Sequence, residues 1–361
     1  MKTKLWKVNP TNPEQQAIRE ASELLKQGGL VAFPTETVYG LGAIVYNKHS
    51  VKKIFEVKGR PRNNPLIVHI SNLNQLNDVV SKVPEELELL AETFWPGPLT
   101  LVLPKSPLVP LEVTAGLPNV GVRMPAHRVA LALIEEAEAP LSAPSANVSG
   151  SPSPTLAEHV LKDLDGKIEG VLDAGETLYG VESTILDLTV KPPVLLRPGA
   201  LPVEKLEEVL GLKVQIPGFA RGLNESEVAL APGMKYRHYA PKAEMTVVES
   251  SRYSDQADLI KLTEAVKKHA LYTSSTSART CILCTDETIV FYSDLPPNVA
   301  VKNLGSRRDP FTIARNLFKT LREIDEEGFL YVVAEGVEEK GLGLTIMNRL
   351  RKASGYRIIK I

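Results

Sequence analysis

Two stretches of alternating strand-like and helix-like patterning frame an aperiodic stretch in the middle of this 361-residue chain. Near the start, Asn12-Pro13 followed by EQQAIREASELLKQGG reads as a helix. Asn12 would cap it, Pro13 would sit in its first turn, and Gly28 would end it. Leu30 to Phe33 predicts a short strand that runs into PTETVYGLG. Ser50 would cap a helix over VKKIFEVK, which Lys58-Gly59-Arg60-Pro61 breaks. The apolar runs LIVHI, LTLVLP, VGVRMP and PLSAPS predict further strands. Helices are predicted at PEELELLAETFW and near residues 127–136 and 155–163. This alternation defines an α/β unit over residues 1–210, with strand direction left open.

Periodicity lapses over residues 211–243, where glycine and proline recur. Connections inside a compact domain usually run about 4–6 residues, so this stretch predicts a linker between domains. It is not a plain spacer, because it holds Met234, Tyr236, Arg237, His238 and Tyr239. It is expected to lie on a surface and to act there. Alternation returns from Met245: MTVVE, a helix around 256–269, TCILCT, TIVFY, a helix around 311–325, FLYVVAE and a last helix around 344–353. A smaller, doubly wound α/β domain is expected over residues 244–361.

Composition adds mainly exclusions. Hydrophobic residues make up 43% and charged residues 24%, the balance of an ordinary globular chain. The formal net charge is −1, so no global basic field points to nucleic acid. No run approaches the roughly 18–20 apolar residues of a membrane helix. Two cysteines do not make a disulfide framework, and a reducing, cytoplasmic setting is expected. Cys281-Ile-Leu-Cys284 lies in a strand-like run, where positions three apart face opposite ways, so it reads as core and not as a metal site. Gly341-Leu-Gly343 lacks the third glycine of a dinucleotide fingerprint, and no phosphate-loop motif occurs. The six histidines show no metal-ligand spacing.

The chemistry-bearing motifs lie in the first half. Lys58-Gly59-Arg60 and Ser145-Ala146-Asn147 together supply two cations, a hydroxyl and an amide, a set suited to a polyphosphate. Thr35 and Thr37 bring hydroxyls to PTETVYGLG, where Gly40 and Gly42 would let backbone approach a ligand. Arg123 falls inside an apolar strand, so it must meet either an acidic side chain or an anionic ligand. His69 in LIVHI, Ser183 at a strand start and Arg197 at a strand end each read equally as structural residues.

FPTETVYGLG, KGRPRNNPLIVH, FWPGPLTLVL, VRMPAH, SAPSANVSG and VESTILDL, in this order, resemble the YrdC-like domain of threonylcarbamoyl-adenylate synthases. APGMKYRHYAP and the domain after it resemble the two-domain form of that family. The resemblance implies a YrdC-like twisted-sheet α/β domain, a linker over the active site, and a smaller Rossmann-like domain. It implies synthesis of threonylcarbamoyl-AMP and pyrophosphate from L-threonine, bicarbonate or CO2, and ATP with Mg²⁺. A tRNA threonylcarbamoyl-transferase complex then uses the product beside the anticodon. Direct tRNA contact and the metal ligands are left open. On this resemblance Lys58 and Arg60 are catalytic and bind ATP with Asn64, Asn119, Ser145, Asn147, Ser153, Arg197 and His238. Thr37, His69, Arg123, Ala143 and Ser183 form the threonine pocket. Two other classes compete: an RNA-binding module, and a hydrogenase-maturation carbamoyltransferase, for which two cysteines are too few.

Overall fold

The computed structural model describes residues 2–226, 228–234, 239–275 and 278–361. The chain divides into two compact units. The first comprises Met1–Ser149, Ser153–Ala220 and Ser226–Lys235; the second comprises Gly150–Pro152, Arg221–Glu225 and Tyr236–Ile361.

In the first unit ten strands form one sheet. They are β1 Lys4–Lys7, β2 Val31–Phe33, β3 Gly40–Ile44, β4 Ile67–His69, β5 Leu99–Pro104, β6 Asn119–Arg123, β7 Leu141–Ser142, β8 Gly170–Asp173, β9 Thr184–Asp187 and β10 Val194–Arg197. Their spatial order is β1-β8-β2-β3-β7-β4-β6-β5-β9-β10. Pairing is mixed: β4 runs parallel to β6, and β5 parallel to β9, while β5 and β6 are antiparallel. The consequence for the site is that the end of β6 lies beside the starts of β5 and β9. Helix Gln15–Lys26 buries Ile18, Ala21, Ser22 and Leu25, the one-face spacing of an amphipathic helix. That face meets Val129, Leu133 and Ile134 of helix Arg128–Glu136, together with Val31, Phe33 and Leu141 of the sheet.

Two caps differ from expectation. Asn12 does not cap the first helix, whose N-cap is Glu14. Asn9 instead accepts the N–H groups of Thr11 and Asn12, a local side-chain turn that ends before the helix begins. Helix Lys48–Lys58 is capped by Asn47, which accepts from the Ser50 N–H, while the Ser50 hydroxyl donates to the Gly28 carbonyl. Gly59, at φ 60°, ends that helix in the left-handed conformation and frees the chain to turn at Arg60.

The expected linker stretch is not uniformly superficial. Ala231 and Met234 are buried in the first unit against Ile67, Val102, Ile185 and Leu196. The aperiodic sequence hid this, since two isolated apolar side chains carry no period. Tyr239 belongs to the second unit and stacks on Phe318 with ring centroids 5.1 Å apart. Tyr236, Arg237 and His238 lie outside the described residues.

The second unit is an all-parallel five-stranded sheet. Its strands are β11 Glu244–Glu249, β12 Thr280–Cys284, β13 Val299–Asn303, β14 Tyr331–Glu335 and β15 Ile358–Lys360, in the order β13-β12-β14-β11-β15. Helices Gln256–Ser274, Pro310–Glu326 and Leu342–Ala353 connect them. TIVFY is not a strand but a 3-10 turn over Ile289–Tyr292. Thr288 donates its hydroxyl to the Thr285 carbonyl and its N–H to the same atom, which closes a turn where a strand would have to start. Cys281 and Cys284 are buried in β12, and burial pushes both thiols up. Gly343 is demanded by its own loop: a Cβ there would lie 1.8 Å from the Glu338 carbonyl oxygen. Among the described residues no helix is long and apolar enough to cross a membrane.

Candidate active site

The two polar motifs of the first half are tied together. Lys58 is the last residue of its helix and is 2% exposed. Its ammonium donates to the backbone carbonyls of Ser145, at 2.6 Å, and Asn147. The Ser149 N–H in turn donates to the Lys58 carbonyl. Ser145 is placed by a bridge to Gly40 and by the Ala146 N–H, which donates to Tyr39. Arg60 is buried beside them, its guanidinium donating to the carbonyls of Asn64 at 3.1 Å and Pro65 at 2.8 Å. The Asn64 side chain is fully buried, and among the described residues neither its Oδ1 nor its Nδ2 has a hydrogen-bond partner. Two cations are therefore held in a low-dielectric setting by backbone dipoles, an arrangement that attracts anions.

A second group gathers where β4 and β6 end. His69 and Arg123 are register partners across these strands. The Arg123 guanidinium donates from Nε to the Gly97 carbonyl (3.1 Å) and from Nη1 to the Thr37 hydroxyl (3.0 Å). Its Nη2 lies 2.7 Å from Glu36 Oε1, both side chains being 4% exposed. Of the two partners the strand position allowed, the structure supplies the acidic one. Glu36 was not singled out in the sequence, and its only signal was its place between the two threonines. Thr37 also meets the Thr35 hydroxyl at 2.8 Å. Ser183 is bonded to Thr100 (2.8 Å) and accepts from Arg197 Nη2 (3.1 Å). Arg197 further donates to the carbonyls of Ser183 and Pro232.

The remaining expected residues are placed less centrally. Ser153 donates to Glu182 at 2.8 Å. Asn119, at the start of β6, donates to Thr189 at 3.3 Å. It lines a small cavity with Pro65, Thr100, Ile185 and Pro232, at the opposite end of β6 from Arg123. The Ala143 N–H donates to the Ile67 carbonyl. Gly40 and Gly42 do not open the backbone to a ligand: the Phe33 ring fills that space, and a Cβ on Gly42 would lie 2.8 Å from it. Gly199 is the glycine that a close approach requires, since a Cβ there would lie 2.3 Å from the Ser183 and Thr184 backbone.

Burial, reinforced by the Arg123 cation, pushes the His69 imidazole down to about 3, so the ring is neutral near neutrality. Its depressed value means that the unfolded chain binds the proton first as pH falls. Stability is whole above the ordinary value of 6.5 and is lost as pH falls toward about 3, at about 1.4 kcal/mol per pH unit. Replacing His69 with Gln is expected to flatten that loss, as read by urea melts across this window. An unchanged slope would show that other groups carry it.

Residues 23–199 match the Sua5, YciO and YrdC family model, described as "Telomere recombination", and residues 201–355 match the threonylcarbamoyl-AMP synthase C-terminal domain. The threonylcarbamoyl-AMP synthase of Pyrococcus abyssi is 53% identical over 348 residues, 96% of this chain and 97% of that one. The Bacillus subtilis enzyme of the same name is 45% identical over 100% of both chains. A crystal structure of P. abyssi Sua5 complexed with L-threonine superimposes with a TM-score of 0.91 at 50% identity, covering 99% of this chain and 100% of that one. Escherichia coli YciO covers 55% of this chain, with a TM-score of 0.51 at 25% identity. Fold and matches together define a Sua5-type protein of two α/β domains. The chain belongs to the threonylcarbamoyl-AMP synthase family.

Proposed function

We propose that this chain makes threonylcarbamoyl-AMP and pyrophosphate from L-threonine, bicarbonate or CO2, and ATP, as a nucleotidyltransferase. The observation that carries the reading is the pinning of Lys58 by the Ser145–Asn147 loop, which sets it near buried Arg60 and the Asn64 amide, whose side chain has no hydrogen-bond partner among the described residues. In this reading Lys58, Arg60, Asn64, Ser145 and Asn147 hold the nucleotide, with Asn119, Ser153 and Arg197 around them. Thr37, His69, Arg123, Ser183 and the Ala143 backbone hold threonine. His238 is assigned to the nucleotide by resemblance alone. Residues 1–210 form the catalytic domain, and the stretch 211–243 links it to residues 244–361 and covers the site.

The ammonium gives up two protons to solvent water or bicarbonate, and its nitrogen bonds to the carbon of CO2 as one C=O π pair moves onto oxygen, giving a carbamate. A carbamate oxygen then bonds to the α-phosphorus while the bond to pyrophosphate breaks. Lys58 and Arg60 balance the charge that gathers on the phosphates, and fixed dipoles need no reorganisation as it does. Neutral His69 orients the amino acid and takes no proton. Mg²⁺ keeps several waters and is usually bound through one or two protein groups together with substrate phosphates. The ion is better counted with the substrate, as the ATP complex.

The product is a small molecule, which suits a net charge of −1. A separate transferase complex would pass its threonylcarbamoyl group to the adenosine beside the anticodon of tRNA, in the cytoplasm. The test is pyrophosphate release from ATP with each of the twenty amino acids, with and without bicarbonate. Release is expected with threonine and bicarbonate together. Release that ignored either one would overturn the reading.

A further inference from the structure

We infer that Glu36 is the receptor for the amino group of the substrate, and that it makes the site selective for an α-amino acid. The inference rests on the reading of this end of the sheet as the threonine pocket. Glu36 is a carboxylate at 4% exposure, in the loop between β2 and β3. Its backbone is held in place by the Tyr179 N–H, which donates to the Glu36 carbonyl at 2.9 Å. Its side chain stands 2.7 Å from Arg123 Nη2 as a charge pair. The contact lacks hydrogen-bond geometry: among the described residues Glu36 Oε1 and Oε2, and Arg123 Nη2, all have no hydrogen-bond partner. His69 Nδ1 beside them has none either.

A buried ion pair that only held the fold together would be expected to fill these valences, because a charge out of water is costly unless it is hydrogen-bonded as well as paired. Here the charges are matched and the hydrogen-bonding capacity is left over. An α-amino acid supplies what is missing. Its carboxylate and ammonium are joined through one carbon, so its two charges are as close as those of the side-chain pair. Laid against Arg123 and Glu36, it completes a ring of four alternating charges, carboxylate on guanidinium and ammonium on carboxylate. The other titratable groups in the field of Glu36 are His127 and Tyr179. Burial lowers the His127 imidazole and raises the Tyr179 phenol, so near neutrality both are uncharged and neither supplies a competing cation. Arg123 reads the carboxylate that any 2-substituted acid carries. Glu36 reads the nitrogen, and thereby fixes the atom that must meet CO2.

The test compares L-threonine with its deaminated hydroxy analogue, 2,3-dihydroxybutyrate of matching configuration, by calorimetric titration of the full chain. The variant Glu36→Gln keeps the shape and removes the charge. Its affinity for threonine is expected to fall about a hundredfold, as for loss of a buried charge-assisted hydrogen bond. Its affinity for the hydroxy acid should hold or rise, and ATP binding should stay within about twofold. Glu36→Asp, which keeps the charge, should retain the preference for threonine over the hydroxy acid. A purely structural Glu36 would weaken both ligands together in both variants, and that result, or no change in either, overturns the proposal. Absence of threonine binding by the unaltered protein would instead overturn the reading of the pocket.

Discussion

Replacing Lys58 with methionine is expected to lower kcat/KM for threonine-dependent pyrophosphate release by about a hundred- to a thousandfold, the scale on which removing a preorganised charge-stabilising group acts. The ammonium cannot be replaced from solvent, because Lys58 is 2% exposed. It is also the knot between the two motifs, bonded to the carbonyls of both Ser145 and Asn147. Methionine fills the same volume but leaves those acceptors without this donor, at about 1–3 kcal/mol for each one left unsatisfied. The melting temperature should therefore fall alongside activity. Arginine should not rescue, since a planar guanidinium does not fit where a compact ammonium points at two carbonyls. Steady-state assays paired with thermal melts check this. A variant that folds and releases pyrophosphate within tenfold of the parent would remove Lys58 from the nucleotide site.

Replacing Arg123 with leucine should be the most damaging single change in the proposed threonine pocket. It strands Glu36, a carboxylate at 4% exposure, without its cation, and breaking a buried pair by removing one partner costs about 3–5 kcal/mol. The Gly97 carbonyl and the Thr37 hydroxyl lose their donor as well. Threonine binding should disappear in calorimetry. Adding Glu36→Gln to the same chain should recover much of the stability in urea melts, because the stranded charge is gone, but none of the threonine binding. Were the single variant as stable as the parent to within about 1 kcal/mol, the Arg123–Glu36 pair would not be the buried, mutually dependent one described here.

The cluster of Lys58, Arg60, Ser145 and Asn147 was legible because its residues stand in short rigid motifs. Lys58 and Arg60 flank a glycine that must end a helix, and Gly59 does so with φ 60°. Ser145 and Asn147 sit among prolines where a strand must stop. Arg123 was legible as an anomaly, a charge in an apolar strand. The helix caps were misread because Asn9, Asn12, Asn47 and Ser50 are all competent cappers, and local sequence does not rank them. The strand expected at TIVFY failed because the Thr288 hydroxyl takes both the Thr285 N–H and the Thr285 carbonyl, backbone groups a strand would need.

Sequence alone therefore determined the two α/β units, most of their elements and the motif residues, because periodicity, turn chemistry and out-of-place charges are local signals. What only the tertiary structure decided is who meets whom. Lys58 holds the Ser145–Asn147 loop, Phe33 rather than a ligand occupies the space over Gly42, and Met234 is core rather than surface. Glu36 belongs to the same list. In the chain it is one acid between two threonines after a short strand; folding removes it from water and sets it against Arg123. Burial is a property of the packed sheet and not of any segment of it, so the charge that completes the site could be seen only once the strands were side by side.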